Sequence, residues 1–147
     1  FSQHHYLSAD IHKNATCYCG FYQNQPVVFT AVLPFPHAVS PGWREHRTVC
    51  LPDFQGVGIG NRMSDFVASI YVAKGKPYYS TTSNPAMILY RAKSKNWDLK
   101  RLPSLTSKTA TSSIAGFQRT TSTKRMTSGF KFAGQPNFDA AKGFNLI

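Results

Sequence analysis

Acidic residues are scarce in this 147-residue chain, where six Asp and Glu stand against 17 Lys and Arg and give a formal net charge of +11 at pH 7. The imbalance is concentrated in one part of the chain. Residues 1–90 contain six basic and four acidic residues, a net charge of +2, whereas residues 91–147 contain eleven and two, a net charge of +9. This asymmetry indicates a polyanionic partner, and the plain alternative is a solvated basic face that aids solubility.

Cysteine is rare too, and three copies are too few for a disulfide framework. Cys17 and Cys19 are two residues apart, so on a strand they share one face and make a poor disulfide. A reducing cytoplasm fits this composition best. No apolar run approaches the roughly 20 residues of a membrane helix, and there is no signal-peptide pattern. The length and an apolar fraction of 41% suit one domain with one core.

Turn signals and side-chain periodicity divide the chain into strands and helices. The expected elements are strands over 15–22, 27–33 and 47–51, a helix over 57–74, a strand over 76–81, a helix over 84–93 and a strand over 97–102. Gly75 ends the first helix well, and Pro85 suits the first turn of the second. The first two strands predict an antiparallel hairpin. This order predicts an α/β arrangement with a mixed sheet.

The end of the chain has a different composition, because Ser and Thr are dense from 104 to 128 while apolar residues are sparse. Two interpretations stay open: a hairpin of strands 114–117 and 130–132, or a basic arm. We expect the last residues to form a tail. The chain therefore divides into a core over 1–102 and a basic extension over 103–147 that packs on the core as a hairpin or arm.

A glycine-rich turn, QGVGIG at 55–60, lies between the third strand and the first long helix. Its three glycines allow close approach of a ligand to the backbone, and the free amides of the helix start can point at a phosphate. A Walker loop is excluded because no Gly-Lys-Ser/Thr follows. A dinucleotide fingerprint fits less well, because three strands precede the turn and no acid lies about 20 residues on. Taken alone, the turn is explained equally well by tight packing of strand on helix.

Residues 48–60, TVCLPDFQGVGIG, resemble the signature strand and loop of the GNAT acyltransferase superfamily. That family shows Gln or Arg, two residues, Gly, one residue, then Gly or Ala, and Gln55, Gly58 and Gly60 match. The resemblance implies that main-chain amides of the loop hold the pyrophosphate of acetyl-CoA or another acyl-CoA. The implied cofactor-binding residues are Leu51, Gln55, Gly56, Val57, Gly58, Ile59, Gly60 and Asn84.

Residues 84–90, NPAMILY, resemble the family's following helix, where Ala and then Leu-Tyr recur. Ala86, Leu89 and Tyr90 match that spacing, although Asn84 lies one residue closer to the Ala than usual and the usual Gly-Phe is missing. The resemblance implies that Tyr90 protonates the departing CoA thiolate, which a phenol can do. Without the family, Tyr90 would be interpreted as a packed helix aromatic.

The resemblance covers about residues 15–102 and implies a mixed, mostly antiparallel sheet flanked by helices, followed by the basic Ser/Thr-rich C-terminal extension. The family's usual first strand and first helices are not visible. Either they lie upstream of Phe1 in a longer chain, or this is a trimmed version.

An amine acceptor needs a base to take its proton. Glu45 and His46, at the start of the signature strand, are candidates, and each is alternatively an ordinary polar residue of a strand end. His5 and Tyr6 lie on a polar loop that suits an acceptor pocket. We expect no metal, because adjacent His residues rarely bind one ion and no H-x-x-x-H or C-x-x-C pattern is present.

Four further stretches, HHYLS, VLPFPH, PGWREHR and YYSTTSNPAM, make the chain similar to a predicted acetyltransferase domain that is fused to ABC-type ATPases in bacteria and phages. A looser similarity links them to the Mom protein of phage Mu, a GNAT relative that modifies adenine in DNA. These resemblances imply the cytoplasm of a bacterium or phage-infected host, an ABC-type ATPase domain or subunit as partner, and catalytic roles for His5, Tyr6 and Ser83.

The sequence leaves three functions open. The first is an acyl-CoA-dependent enzyme that modifies a nucleic-acid base, DNA above all. The second is a conventional N-acetyltransferase for a protein or a small amine, and the third is a non-catalytic GNAT-fold binding module in a larger phage or ATPase-linked protein. Basic residues suit phosphate contacts in the first case. The expected nucleic-acid contacts are Arg91, Lys93, Lys95, Lys100, Arg101, Arg119, Lys124, Arg125 and Lys131.

Overall fold

A six-stranded sheet and three helices make up the described residues of this computed structural model, which are 11–105 and 126–147 without the side chains of 103–105. The strands are β1 Thr16–Tyr22, β2 Gln25–Phe35, β3 Gly42–Cys50, β4 Tyr78–Thr82, β5 Trp97–Leu105 and β6 Met126–Phe132. The helices are α1 Ile59–Val72, α2 Pro85–Lys93 and α3 Phe138–Gly143. No helix of this described part is long and apolar enough to cross a membrane.

The strand order in the sheet is β1-β2-β3-β4-β6-β5. β3 and β4 run parallel, and the other four neighbouring pairs of the described sheet are antiparallel. The expected mixed, mostly antiparallel sheet flanked by helices is therefore confirmed. The expected hairpin of β1 and β2 is present as well, and its turn residues Gln23 and Asn24 have the positive φ angles, 48° and 61°, of the two-residue turn that matches strand twist.

β3 begins at Gly42, five residues before the predicted start, although prolines at 36 and 41 had indicated irregular chain there. Glycine makes the early start possible. A Cβ at this position would lie 2.1 Å from the carbonyl oxygen of Pro77, and the amide of Trp43 donates to that same oxygen at 2.9 Å. The close approach lets the start of β3 reach the start of β4.

The end of the chain is structured, and the prediction of a tail is wrong. Residues 138–143 form α3, where Ala141 is fully buried and the Asn137 side chain accepts a hydrogen bond from the amide of Ala140 at 3.0 Å. β6 contains the predicted strand 130–132 and lies between β4 and β5 inside the sheet. The other predicted hairpin strand, 114–117, lies outside the described residues.

All three helices pack on one face of the sheet, which we call the helix face and which carries Tyr78, Ser80 and Phe130. The core is formed there by Val67 and Ile70 of α1, together with further residues of both helices and strands: Tyr18, Val32, Ala68, Tyr71, Ala73, Tyr78, Trp97, Phe130, Phe132 and Ala141. Complete burial of such side chains contributes about 1.5–3 kcal/mol each. The side chains of Tyr79 and Lys131 alternate to the other side, the second face.

Candidate active site

The parallel strands β3 and β4, which both lie wholly in the described part, pair only where they begin. Their register contains two pairs, Trp43 with Tyr78 and Arg44 with Tyr79, although β3 continues to Cys50. Beyond these pairs the sheet divides into one half of β1, β2 and β3 and another of β4, β6 and β5. We call the unpaired stretch between β3 and β4, on the side of their carboxyl ends, the gap; that edge is where parallel sheets bind ligands.

A β-bulge marks the point at which β3 leaves β4. The register with β2 passes from Ala31–Arg47 to Val32–Glu45, so that His46 is an extra residue in β3. A bulge bends its strand and increases the local twist. It accounts physically for the parting of the two parallel strands, and it changes the direction of the side chains around it.

The glycine-rich turn leaves β3 at the mouth of this gap. Leu51 still belongs to the sheet, since its amide donates to Val27 O at 2.9 Å, and residues 52–54 form a short 3₁₀ turn. The Gln55 side chain donates to Cys50 O at 2.8 Å, which ties the turn back to the strand it left. Gln55, Gly56 and Val57 are exposed, so the predicted loop lies at the surface.

Two glycines of the turn adopt the left-handed conformation, Gly56 with φ 82° and Gly58 with φ 87°. A Cβ built on either would meet no atom of the described structure within 4 Å. Packing of a strand on a helix would leave no such space, so tight packing does not explain these two glycines. They provide an open approach to the backbone instead.

α1 begins at Ile59 with Gly58 as its N-cap residue. A helix leaves its first amides without an intrahelical acceptor, and glycine brings no side-chain oxygen to cap them. Gly60 lies over the end of β3, since a Cβ there would be 3.9 Å from the Cβ of Cys50. These amides, the positive end of the α1 dipole and the open space at Gly56 and Gly58 together suit a pyrophosphate.

Asn84 serves as the N-cap of α2. Its Oδ1 accepts hydrogen bonds from the amides of Ala86 at 2.9 Å and Met87 at 3.2 Å, and its own amide donates to Thr82 Oγ1 at 3.1 Å. The side-chain oxygen of Asn84, a residue expected to bind the cofactor, is therefore occupied in capping α2. Ser83 lies beside it, half-buried, in the connection from β4.

Tyr90, the predicted acid, donates its hydroxyl proton to Asp65 Oδ2 on α1 at 2.8 Å. The other Asp65 oxygen accepts from Trp97 Nε1 at 2.7 Å, which holds the carboxylate in place. Burial raises the pKa of Tyr90, and the hydrogen bond to Asp65 and its negative charge raise that pKa further. The phenol is half-buried and protonated at neutral pH, with its proton directed at Asp65.

Glu45 is the centre of a buried polar network. Its Oε1 accepts from Arg91 Nη2 at 2.9 Å and from Ser80 Oγ at 3.0 Å, and its Oε2 accepts a hydrogen bond from Ser64. Arg91 also donates to both serine hydroxyls and lies over the Trp97 ring, 4.4 Å from its centroid. The network joins β3, β4, α1 and α2 across the gap between the halves of the sheet.

Two predicted roles are corrected by this network. Burial would raise the pKa of Glu45, but the Arg91 charge and the three hydrogen bonds outweigh it and hold the pKa below its ordinary value. Glu45 is therefore an ionised, paired carboxylate and a poor base. Arg91 is 1% exposed, so its guanidinium does not reach a nucleic-acid phosphate; the cost of burying a cation explains its place beside Glu45.

The other expected nucleic-acid residues lie in separate places. Lys93 and Lys95 are exposed at the end of α2 and just beyond it, on the helix side of the sheet. Lys100, Arg101 and Lys131 belong to β5 and β6. Lys100 pairs with Asp98 at 3.5 Å, and Arg101 donates to Thr127 at 2.7 Å. Three more predicted contacts lie outside the described residues: Arg119, Lys124 and Arg125.

His46 is half-buried at the bulge, with its ring 6.5 Å from that of His12 in an edge-on arrangement. His5 and Tyr6 lie outside the described residues. Within the described ranges, no group of three or more His, Cys, Asp and Glu side chains lies together in a way that would hold a metal ion.

Sequence reasoning missed Ser64, Asp65 and Ser80. Ser64 lies four residues after Gly60 and three before Val67, so it belongs to the buried stripe of α1. The position of Arg91, three residues after Ile88 on α2, carried a similar signal, since a cation on an apolar helix face requires a buried partner. That the partner is Glu45, 46 residues earlier, follows from the tertiary fold alone.

No protein-family model and no curated protein matches the chain.

Proposed function

We propose that this chain is a GNAT-type transferase that moves an acyl group from acyl-CoA to an amine of a nucleic-acid base. The observation that supports the proposal most is the parting of β3 from β4 next to a glycine turn that begins α1. One gap of this kind can accept the extended end of a cofactor between two strands while the amides of the turn hold its phosphates.

The residues that would hold the cofactor are those of the turn itself. Open space at Gly56 and Gly58 admits the pyrophosphate, and the first amides of α1 supply donors. Arg62 is exposed one turn into the helix and adds a positive charge at that end. Acyl-CoA supplies an activated thioester carbonyl when it is bound.

In the transfer, the acceptor nitrogen attacks the thioester carbonyl carbon. A C–N bond forms, the C–S bond breaks, the nitrogen loses a proton and the sulfur gains one. Tyr90 is the group proposed to give that proton, and it must turn its hydroxyl from Asp65 toward the sulfur to do so. Asp65 acts on the phenol as a positioning residue.

Glu45 is not proposed as the base, since Arg91 holds it ionised. His46 stays a candidate, because it lies on the bulge where β3 leaves β4. The nucleic-acid acceptor is supported by the charge of the chain, +11 overall and +9 in residues 91–147.

The test is incubation of the chain with acetyl-CoA and single- or double-stranded oligonucleotides, followed by mass spectrometry of the digested nucleosides. We expect an acetylated nucleoside, and a turnover in Tyr90→Phe that is lower by about 100-fold or more. Tyr18→Phe is the matched control, because it removes another hydrogen-bonded phenol, whose partner is the Tyr71 hydroxyl at 3.1 Å. Acetylation of peptides or small amines alone would select a conventional N-acetyltransferase instead.

A second candidate function, a non-catalytic binding module, is favoured by a specific observation. The Glu45 carboxylate accepts a hydrogen bond from the Arg91 guanidinium, and the Tyr90 hydroxyl donates one to the Asp65 carboxylate. Both candidate catalytic groups are therefore already engaged with other side chains in this structure. A chain that binds acetyl-CoA yet acetylates none of these acceptors would select this function.

A further inference from the structure

We propose that the second face of the sheet binds single-stranded nucleic acid through a basic and aromatic surface centred on Tyr79. The proposal rests on the proposed function, specifically on its nucleic-acid acceptor. It adds which surface binds the nucleic acid and that the bound nucleic acid is single-stranded. We call the surface the Tyr79 surface, and it consists of Phe35, His37, Arg44, Tyr79, Asp98, Lys100, Arg101 and Lys131.

Strand register brings these residues together. Arg44 pairs with Tyr79, Tyr79 with Lys131, and Lys131 with Asp98, so four neighbouring strands place these four side chains in one row. Thr81, Gly129 and Arg101 form the next row, two residues along. Neighbouring strands are about 4.8 Å apart, so the first row spans roughly 15 Å and the second roughly 10 Å, enough for a few nucleotides of an extended strand.

Three aromatic rings lie at one end of this surface. The ring centroids of Phe35 and Tyr79 are 5.3 Å apart, and those of Phe35 and His37 are 5.5 Å apart. His37 is exposed, while Phe35 and Tyr79 are half-buried, so all three residues are partly accessible to solvent. Exposed ring faces are stacking platforms for unpaired bases, which a duplex does not present.

Charge on the surface favours a polyanion. Four cations (Arg44, Lys100, Arg101, Lys131) and one anion (Asp98) give a net charge of +3. Arg44 and Arg101 are exposed. Arg44 lies 5.9 Å from the centroid of the Phe35 ring, so a cation and a stacking ring are adjacent, as the alternation of phosphate and base along one strand requires.

Within the described residues, no helix packs on the Tyr79 surface. The buried side chains of α1, α2 and α3 contact the helix face, where Arg91 lies against Ser80 and Phe130. Tyr79 and Lys131 point to the other side. A basic, aromatic sheet face suits an extended single strand, whose unpaired bases can stack on its rings, better than a duplex.

The test is fluorescence anisotropy of a labelled 12-nucleotide pyrimidine strand, alone and as a duplex, titrated with the chain at several salt concentrations without acyl-CoA. With about three phosphates neutralised, affinity for the strand should fall about 20-fold between 50 and 200 mM salt. The double variant R44Q/K131Q should lower the slope of log K against log salt by about 1.4. The loss of one base stacked on the adjacent Phe35 and Tyr79 rings should make F35L/Y79L bind about 5- to 150-fold more weakly.

Two control variants remove charges or rings of the same kind from other parts of the molecule, and a third preserves the charge of the surface. K93Q/K142Q takes two charges from α2 and α3, F21L/Y22L takes two exposed rings from β1, and R44K/K131R keeps the charge of the Tyr79 surface. These should bind within about twofold of the unaltered chain. Unaltered binding by R44Q/K131Q and F35L/Y79L, equal losses in the controls, or tighter binding of the duplex would overturn the proposal. A failure of acetyl transfer with this binding intact would overturn only the enzymatic half of the function.

Discussion

At the scale of the residue, Glu45 and Arg91 form an ion pair in the interior of the molecule. Both side chains are almost fully buried, at 6% and 1% exposure, and Arg91 Nη2 lies 2.9 Å from Glu45 Oε1. Burying either alone costs several kcal/mol, so neither is an independent functional group. The pair holds α2 against β3 where the strands themselves no longer pair.

We expect Glu45→Gln to lower the free energy of unfolding by about 3–5 kcal/mol, because it leaves Arg91 buried without a counter-charge. Asp98→Asn is the matched control, since it breaks an ion pair with Lys100 that is half exposed and contributes about 0–1 kcal/mol. Urea unfolding of both variants measures the difference. Equal, small losses would mean that the buried pair does not hold the fold.

The same carboxylate predicts a pH dependence. Its pKa is lower in the folded chain than its ordinary value of 4.5, so the unfolded chain binds the proton first as the pH falls. The stability from the pair is present above about pH 4.5 and is lost as the pH falls through the lower folded pKa. Thermal unfolding between pH 6 and 3 should show this loss, and Glu45→Gln should remove that part of the slope. A slope that the substitution leaves unchanged would assign it to other carboxylates.

At the scale of the element, local signals predicted most helices and strands, while contacts distant in sequence decided the rest. The helical spacing of Met63, Val67 and Ile70 and the turn signals before β2 were sufficient for α1 and the hairpin. The start of β3 depends on contact with Pro77, 35 residues later, so no local pattern marks it. Likewise β6 pairs with β4 on one edge and β5 on the other, and both partners are distant from it in sequence.

The candidate site likewise combines features that local sequence predicts with features that depend on contacts distant in sequence. Its glycine turn is contiguous in the sequence, and the left-handed φ angles of Gly56 and Gly58 agree with the turn that these glycines predict. The link between Tyr90 and Asp65 joins two helices 25 residues apart, and the bulge at His46 follows from the register with β2. These features arise only when the elements pack.

Gly42→Ala tests the contact of β3 with β4. The new Cβ would lie 2.1 Å from the carbonyl oxygen of Pro77, and because that atom belongs to the backbone the two strands must move apart. We expect a loss of about 1–3 kcal/mol in the free energy of unfolding. Gly143→Ala, where a Cβ meets no atom within 4 Å, should be neutral or slightly stabilising by comparison. A neutral Gly42→Ala would mean that β3 and β4 are not packed as described.

At the scale of the whole molecule, the two proposed functions occupy different regions. The glycine turn follows the carboxyl end of β3, whereas Arg44 lies six residues before Cys50, roughly 20 Å away along the strand. The helices lie on one side of the sheet and the Tyr79 surface on the other. Cofactor binding and strand binding should therefore be separable by mutation.

We expect R44Q/K131Q to bind acetyl-CoA with unchanged affinity, and Gly58→Val to bind the single strand with unchanged affinity. Each result follows from the distance between the regions and from additivity of independent sites. Calorimetry with acetyl-CoA and anisotropy with the strand measure them on the same preparations. A loss of both activities in either variant would show that the regions act as one site.

The central claim, that backbone amides at the start of α1 hold a phosphorylated cofactor, is tested most directly by the affinity for acetyl-CoA of Gly58→Val against Gly75→Val. Both glycines have a left-handed φ, 87° and 76°, and open space around them, but only Gly58 lies in the turn at the mouth of the gap. Both substitutions therefore introduce a similar conformational strain of about 1–3 kcal/mol. We predict that Gly58→Val abolishes detectable binding while Gly75→Val keeps it. Unchanged affinity in Gly58→Val, or no binding by the unaltered chain, would contradict the claim.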